Sequence, residues 1–316
     1  MALPLLRRAL LTVCVLVMLA PGARSEVVFD GVAAGDASST DAVLWTRADN
    51  GGNTTNLTAQ VATDQGFTNI VATMGDTTRS DSDFTLKLLA SGLAANTRYY
   101  YRFVAPSGVV SPTGQFATAP AASQRAAVKF GFSGDADGRF RPYPSIANLP
   151  AQKLDFFIFL GDAIYETAST GSPAVPLITG ETADPTQLEE ALKAYDRKYL
   201  ENMLGVDPAT GQPSASGQQS LQPMLAATGS YTLLDNHELG NRSLQSGGAP
   251  PNPSDATDPA FNVNTTGSYN NKTLAFRTVE KAFLDFHPTR SSISGDPVKG
   301  YALSGPRVSA PDDLRS

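Results

Sequence analysis

Leu154-Asp155-Phe156-Phe157-Ile158-Phe159-Leu160-Gly161-Asp162-Ala163-Ile164-Tyr165-Glu166 is a short apolar run that stops at an acidic turn. Two other stretches repeat the pattern. Val128 to Phe132 ends in Ser133-Gly134-Asp135-Ala136-Asp137, and Tyr231 to Leu234 ends in Asp235-Asn236-His237-Glu238. A near-continuous apolar run of this length reads as a strand buried on both faces. In open α/β sheets, ligands bind just beyond the carboxyl ends of such strands. As parallel neighbours, the three would gather several oxygen ligands, one phenol and one imidazole in a single crevice. Carboxylates crowded in this way repel one another unless a cation neutralises them.

The sequence on either side divides the chain. From 26 to 118, short runs such as Val27-Val28-Phe29, Ala42-Val43-Leu44-Trp45 and Tyr99 to Val104 alternate with Gly, Asn, Asp and Ser, the spacing of a β-sandwich. Ser91-Gly92-Leu93-Ala94-Ala95-Asn96-Thr97-Arg98-Tyr99 resembles the tyrosine corner of fibronectin-type-III-like domains, with an ordinary turn before an aromatic strand as the plainer reading. Residues 119–127 are small and polar, as a linker is. An α/β domain follows from 128 to 316. Within it, Leu188, Ala191, Leu192, Tyr195, Tyr199, Leu200 and Met203 share one helical face, and the charged residues between them read as a solvated face. Residues 206–219 and 244–268 are Pro-, Gly-, Ser- and Asn-rich loops. The expected fold class is a β-sandwich N-terminal domain followed by an incomplete α/β domain.

Residues 1–25 read as a signal peptide: Arg7 and Arg8, an apolar stretch from Ala9 to Ala20, and Ala23-Arg24-Ser25 before cleavage at Glu26. The apolar stretch is too short to span a bilayer comfortably, so an uncleaved anchor is the lesser alternative and no membrane span is expected after cleavage. Arg7-Arg8 fits either an ordinary or a twin-arginine export signal, and both place the protein in the periplasm or outside the cell. The single cysteine, Cys14, lies inside that segment, so the mature chain has no thiol ligand or disulfide. Losing Arg7, Arg8 and Arg24 and no acid moves the net charge from −6 by three, to −9. An acidic chain without a basic run has no evident nucleic-acid-binding surface and needs cations to handle phosphate.

Each turn offers specific chemistry. Asp162 presents a carboxylate through a tight turn, and Tyr165 either directs its phenol to the same point or packs beneath it. A phenolate favours ferric iron. Asn236 offers a neutral carbonyl oxygen to a hard cation. His237 is placed to give a proton or hydrogen bond to a leaving oxygen, with Glu238 and Asp235 to orient it; an isolated histidine capping a helix is the plainer alternative. Asp135 and Asp137 stand two apart, so both are candidates to grip one cation.

Gly161-Asp162-Ala163-Ile164-Tyr165-Glu166 and Asp235-Asn236-His237-Glu238 resemble the second and third motifs of the calcineurin-like metallophosphoesterases, most closely those of PhoD-type alkaline phosphatases. Gly31 to Asp36, Val43-Leu44-Trp45-Thr46-Arg47 and Leu188 to Tyr199 fit the same family. The resemblance implies an αββα metallophosphoesterase-type domain and a phosphate ester substrate hydrolysed by in-line attack of metal-bound hydroxide. It implies that Asp135 and Tyr165 bind a first metal, Asp162 bridges two, Asn236 binds the second and His237 assists the transition state. The metals implied are divalent or trivalent ions, most readily calcium and iron. The chain departs from the family in lacking a cysteine in the first motif and in its later histidines: of two histidines, the second, His287, precedes Pro288 and reads as structural. Too few strands are expected after His237 for the family's sheet, and Asp312 to Ser316 adds no closing element. The chain is therefore expected to be truncated. The alternative function is a catalytically inactive fragment acting as a metal-stabilised binding module.

Overall fold

The computed structural model describes residues 26–141, 143–167, 173–175, 184–205, 220–239, 274–296 and 300–304. The signal segment, the loops expected at 206–219 and 244–268, and the last twelve residues lie outside them.

Seven strands come first: β1 (Val28–Gly35), β2 (Asp41–Asp49), β3 (Asn56–Ala62), β4 (Ile70–Thr77), β5 (Thr85–Ser91), β6 (Arg98–Val104) and β7 (Gly114–Ala117). The second part supplies β8 (Phe130–Ser133), β9 (Phe156–Phe159), helices α1 (Pro185–Tyr199) and α2 (Gln222–Ala227), β10 (Gly229–Thr232), helix α3 (Leu274–Phe286), β11 (Ser292–Asp296) and β12 (Gly300–Ser304). Strands β4-β3-β6-β7 form one antiparallel sheet and β11-β12 a hairpin. The tyrosine corner is formed, with the Ala94 N–H donating to the Tyr99 hydroxyl at 2.9 Å.

The other sandwich sheet does not end at the expected linker. It runs β5-β2-β1-β10-β9-β8, so the sequence boundary at 119–127 is not a boundary in the sheet. Strand β1 pairs with β10 in parallel, Gly35 opposite Ser230. The join works because β1 and β2 are apolar on both faces. Side chains alternate across a strand. Val32, Ala34 and Leu44 therefore enter the sandwich core with Tyr101, Phe103 and Phe116, while Ala33 and Trp45 enter the second core with α1 and α3. Trp45 Nε1 donates to the Asp285 carbonyl at 2.6 Å, and its ring lies 6.2 Å from Phe286, seating α3 on the shared sheet.

The apolar face expected from Leu188 onward forms α1 and a closing π turn, Leu200–Leu204. Asp184 caps its start by accepting the Thr186 N–H at 2.9 Å, with Pro185 at the first turn, and Gly205 ends it at φ 70°. The charged side of this segment is not uniformly solvated. Lys198 and Glu201 are buried: the Lys198 ammonium donates to the Thr167 carbonyl at 2.6 Å and Glu201 pairs with Arg141. Burying these ions requires such partners.

Strands β8, β9 and β10 are parallel neighbours, as their three turns required, with Phe130 opposite Phe156 and Gly229 opposite Phe156. The expectation of burial on both faces is not met. Phe157 and Phe159 are buried against the helices, each contributing roughly 1.5–3 kcal/mol. Phe130, Phe132, Leu160 and Leu233 are exposed. Phe130 and Phe156 stack at 5.2 Å, and Tyr231 meets Phe156 edge-on at 5.5 Å. Among the described residues, all three helices contribute to the core on the Phe157 side, which leaves the opposite side to this aromatic ladder.

Candidate metal centre

The backbone continues to zip the three turns together past the ends of the strands. The Leu160 N–H donates to the Ser133 carbonyl at 2.8 Å and the Leu233 N–H to the Phe159 carbonyl at 2.9 Å. One step further, the Asp135 N–H reaches the Gly161 carbonyl at 3.2 Å and the Ala136 N–H the Asp162 carbonyl at 2.8 Å. Both aspartates at these corners have left-handed backbones, Asp135 at φ 59° and Asp162 at φ 54°. Such strain in non-glycine residues collects at functional sites.

The three turns enclose a cleft of about 530 Å³ lined by Gly134, Asp135, Leu160, Gly161, Asp162, Asp235 and Asn236. Of the predicted ligands, Asp135, Asp162 and Asn236 thus come together. Tyr165 joins them through Asp135, its hydroxyl donating to Asp135 Oδ1 at 2.7 Å. Burial, that hydrogen bond and the charges of Asp162, Asp135 and Asp137 push the phenol far above its ordinary pKa, so it stands as a neutral donor. A bound cation would reverse that balance. The Asp162 carboxyl is raised by burial, partly offset by the His237 N–H that it accepts at 3.0 Å and raised further by Asp235 and Asp135.

Asp137 does not join the set. Its buried carboxylate caps the following turn by accepting the Arg139 N–H at 2.9 Å, and the Arg139 side chain bonds it at 2.8 and 2.5 Å. Desolvation pushes its pKa up, but those bonds and the Arg139 charge win and hold it below the usual range. The cation is already supplied by the chain.

His237 is buried, its ring stacked on Tyr165 at 3.9 Å. Its orienting partner is Glu166, whose Oε2 lies 2.5 Å from Nδ1, and not the expected Glu238 or Asp235. Glu238 is fully buried and its carboxylate is spent on main-chain N–H groups. Burial raises its pKa to about 7 against those hydrogen bonds. Asn202 is a second residue that the sequence pattern did not mark. From the π turn its amide donates to the carbonyls of Ala136 and Ala163, both at 2.5 Å, and its oxygen meets Tyr143. π turns are frequent where helices serve a site. His287, read as structural, is 1% exposed and bonds the Phe283 carbonyl through Nδ1 at 2.7 Å.

The donors suit hard cations: two carboxylates, a phenol and an amide, all through oxygen. The buried Asn236 Nδ2 has no hydrogen-bond partner among the described residues. Among those residues, no three His, Cys, Asp or Glu side chains are grouped to hold a metal, so a cation here would need Tyr165 and Asn236 as well.

Residues 18–120 match the family described as PhoD-like phosphatase, N-terminal domain. This part of the chain is similar to the N-terminal domain of PhoD-like phosphatases. Alkaline phosphatase D of Bacillus subtilis (strain 168) is 32% identical over 145 residues, 43% of this chain and 25% of that protein. The solved structure of PhoD superposes with a TM-score of 0.61 over 86% of this chain and 48% of its own, at 23% identity, and carries the PhoD fold through the α/β part. The chain therefore spans about a quarter of its curated relative and about half of the solved PhoD chain. Among the described residues, no helix is long and apolar enough to cross a membrane.

Proposed function

We propose that this PhoD-like chain carries the first three motifs of an exported, metal-dependent phosphoric ester hydrolase. Residues 1–25 would be its export signal, 26–118 its sandwich and 128–316 its catalytic part. The observation that carries the reading is the convergence of Asp135, Asp162 and Asn236 on one cleft at three parallel strand ends, with Tyr165 bonded to Asp135. These four would hold calcium or iron ions, and such cations supply charge neutralisation for a phosphate ester and for the charge developing in its transition state. Asp162, presented between the other two turns, would bridge. His237, held at Nδ1 by Glu166, would give a proton or hydrogen bond to the leaving oxygen from its other nitrogen. The backbone hydrogen bonds between the turns and their left-handed corners would hold the donors in place before any ligand arrives.

The test is hydrolysis of a chromogenic phosphate ester by the purified chain at alkaline pH with calcium and ferric iron added. Turnover that disappears in Asp162→Ala supports the enzyme. Lack of turnover in the wild type, with cations bound and the fold stabilised by them, would instead favour a non-catalytic metal-stabilised module.

A further inference from the structure

Glu238 belongs to the third turn, yet its two oxygens reach across to the second. Oε2 accepts the N–H of Asp162 at 3.0 Å and that of Asp235 at 2.9 Å, and Oε1 accepts the N–H of Ala163 at 2.5 Å. The residue is 0% exposed. A buried carboxylate is costly unless its lone pairs are engaged, and three N–H donors engage them here. Those donors gain equally. They lie beyond the strand ends, and among the described residues no main-chain carbonyl takes them. Each would otherwise be a buried or half-buried N–H without a ladder.

The two turns joined in this way have almost no slack. Gly161 sits at φ 102°, and a Cβ built there would be 3.3 Å from the Asp235 nitrogen and closer still to its Cβ. Asp162 follows in a left-handed conformation. Close contact stops the turns from moving together, and the carboxylate stops them from moving apart.

We propose that Glu238 is a positioning residue whose carboxylate clasps the Asp162 turn to the Asp235–Asn236 turn and so fixes the spacing of the Asp162 and Asn236 donors. The role of those donors rests on the function proposed above; the clasp itself does not. Neither near relative of glutamate can substitute. Glutamine exchanges one oxygen for an NH2, so whichever way the amide turns at least one N–H faces another donor. Aspartate keeps the charge but is one carbon–carbon bond, about 1.5 Å, too short to reach both turns.

The experiment compares the full chain with Glu238→Gln and Glu238→Asp by hydrogen exchange and by calorimetric titration with Ca²⁺. In both variants, peptides covering 161–164 and 234–236 should exchange at least tenfold faster, with the sandwich strand Arg98–Val104 unchanged. Ca²⁺ affinity should fall at least tenfold, more in Gln than in Asp. Wild-type protection of the two turns in Glu238→Gln overturns the clasp. So does faster exchange with Ca²⁺ affinity within twofold of wild type, which would make the bonds merely structural. Loss of protection throughout the sandwich in both variants also overturns it, because Glu238 would then support the whole core and not the spacing of two turns. A wild-type chain that neither binds cations nor turns over ester sinks the proposed function, while the exchange measurement still decides whether the clasp exists.

Discussion

Replacing Gly161 with alanine perturbs the candidate centre at the point where two turns meet, and the size of the effect can be worked out. Two costs add. At φ 102° the backbone is left-handed, which costs an L-residue roughly 1–2 kcal/mol. The added methyl also lands on the Asp235 turn, 3.3 Å from its nitrogen and nearer to its Cβ than real Cβ atoms approach. Relieving such an overlap in packed surroundings costs about 1–3 kcal/mol. The sum, about 2–5 kcal/mol, is a large share of the roughly 5–15 kcal/mol by which domains are stable. Gly52 provides the control, since it has φ 78° but nothing within 4 Å of where an alanine Cβ would stand. Gly52→Ala should therefore show the conformational cost alone. Urea unfolding of both variants, followed by far-UV circular dichroism and fitted with a common slope, measures the two terms. Equal destabilisation in the two would refute the steric part of the reasoning, and a Gly161→Ala chain within about 0.5 kcal/mol of wild type would refute both parts.

The other outcomes are more compact. Burial, assisted by the Lys87 charge and opposed by the Phe283 carbonyl, lowers the folded His287 pKa from 6.5 to about 4. The unfolded chain thus takes up the proton first as pH falls, so the stabilisation is full above pH 6.5 and is lost on the way down to 4, about 3 kcal/mol in all. His287→Gln, measured by urea unfolding at several pH values, should show a shallower loss across that window; an unchanged slope contradicts the assignment. On the proposed function, ferric iron should give the wild type a visible phenolate-to-iron absorption that Tyr165→Phe abolishes, and a band that survives the change rejects Tyr165 as a ligand. Tyr99→Phe removes the acceptor of the Ala94 N–H and should destabilise by about 1–3 kcal/mol, read as a lower melting temperature; a melting temperature matching wild type would mean that water satisfies the amide equally well.

The parallel strands were legible because Phe156-Phe157-Ile158-Phe159 and its two counterparts combine β-favouring side chains with an abrupt acidic stop. The corners were legible for the same reason: carboxylates directly after buried strands have few structural uses. Burial on both faces was misjudged, since an aromatic ladder on an open face reads the same as one in a core. The reverse error concealed the joined sheet. Val32-Ala33-Ala34-Gly35 looks like an ordinary sandwich strand, and only the three-dimensional pairing of Gly35 with Ser230 makes its alternate side chains serve two cores.

The residues that organise the centre were the least legible, and the reason is physical. A metal ligand announces itself by residue type, because few side chains bind a cation. A clasp does not, because its partners are main-chain atoms that every residue possesses. Glu238 meets the Asp162 N–H across 76 positions, and Asn202 meets the Ala163 carbonyl across 39. Proximity in sequence was actively misleading: Glu238 and Asp235 flank the histidine motif, but Glu166, 71 positions away, holds the ring. On a strand-end turn, neighbours of a residue point away from one another, so the orienting group comes from the adjoining turn. The same logic implies that in this sheet each acidic turn braces its neighbour and, on the proposed function, would supply ligands to the cleft. A substitution in one turn should therefore register in the cation affinity of the next.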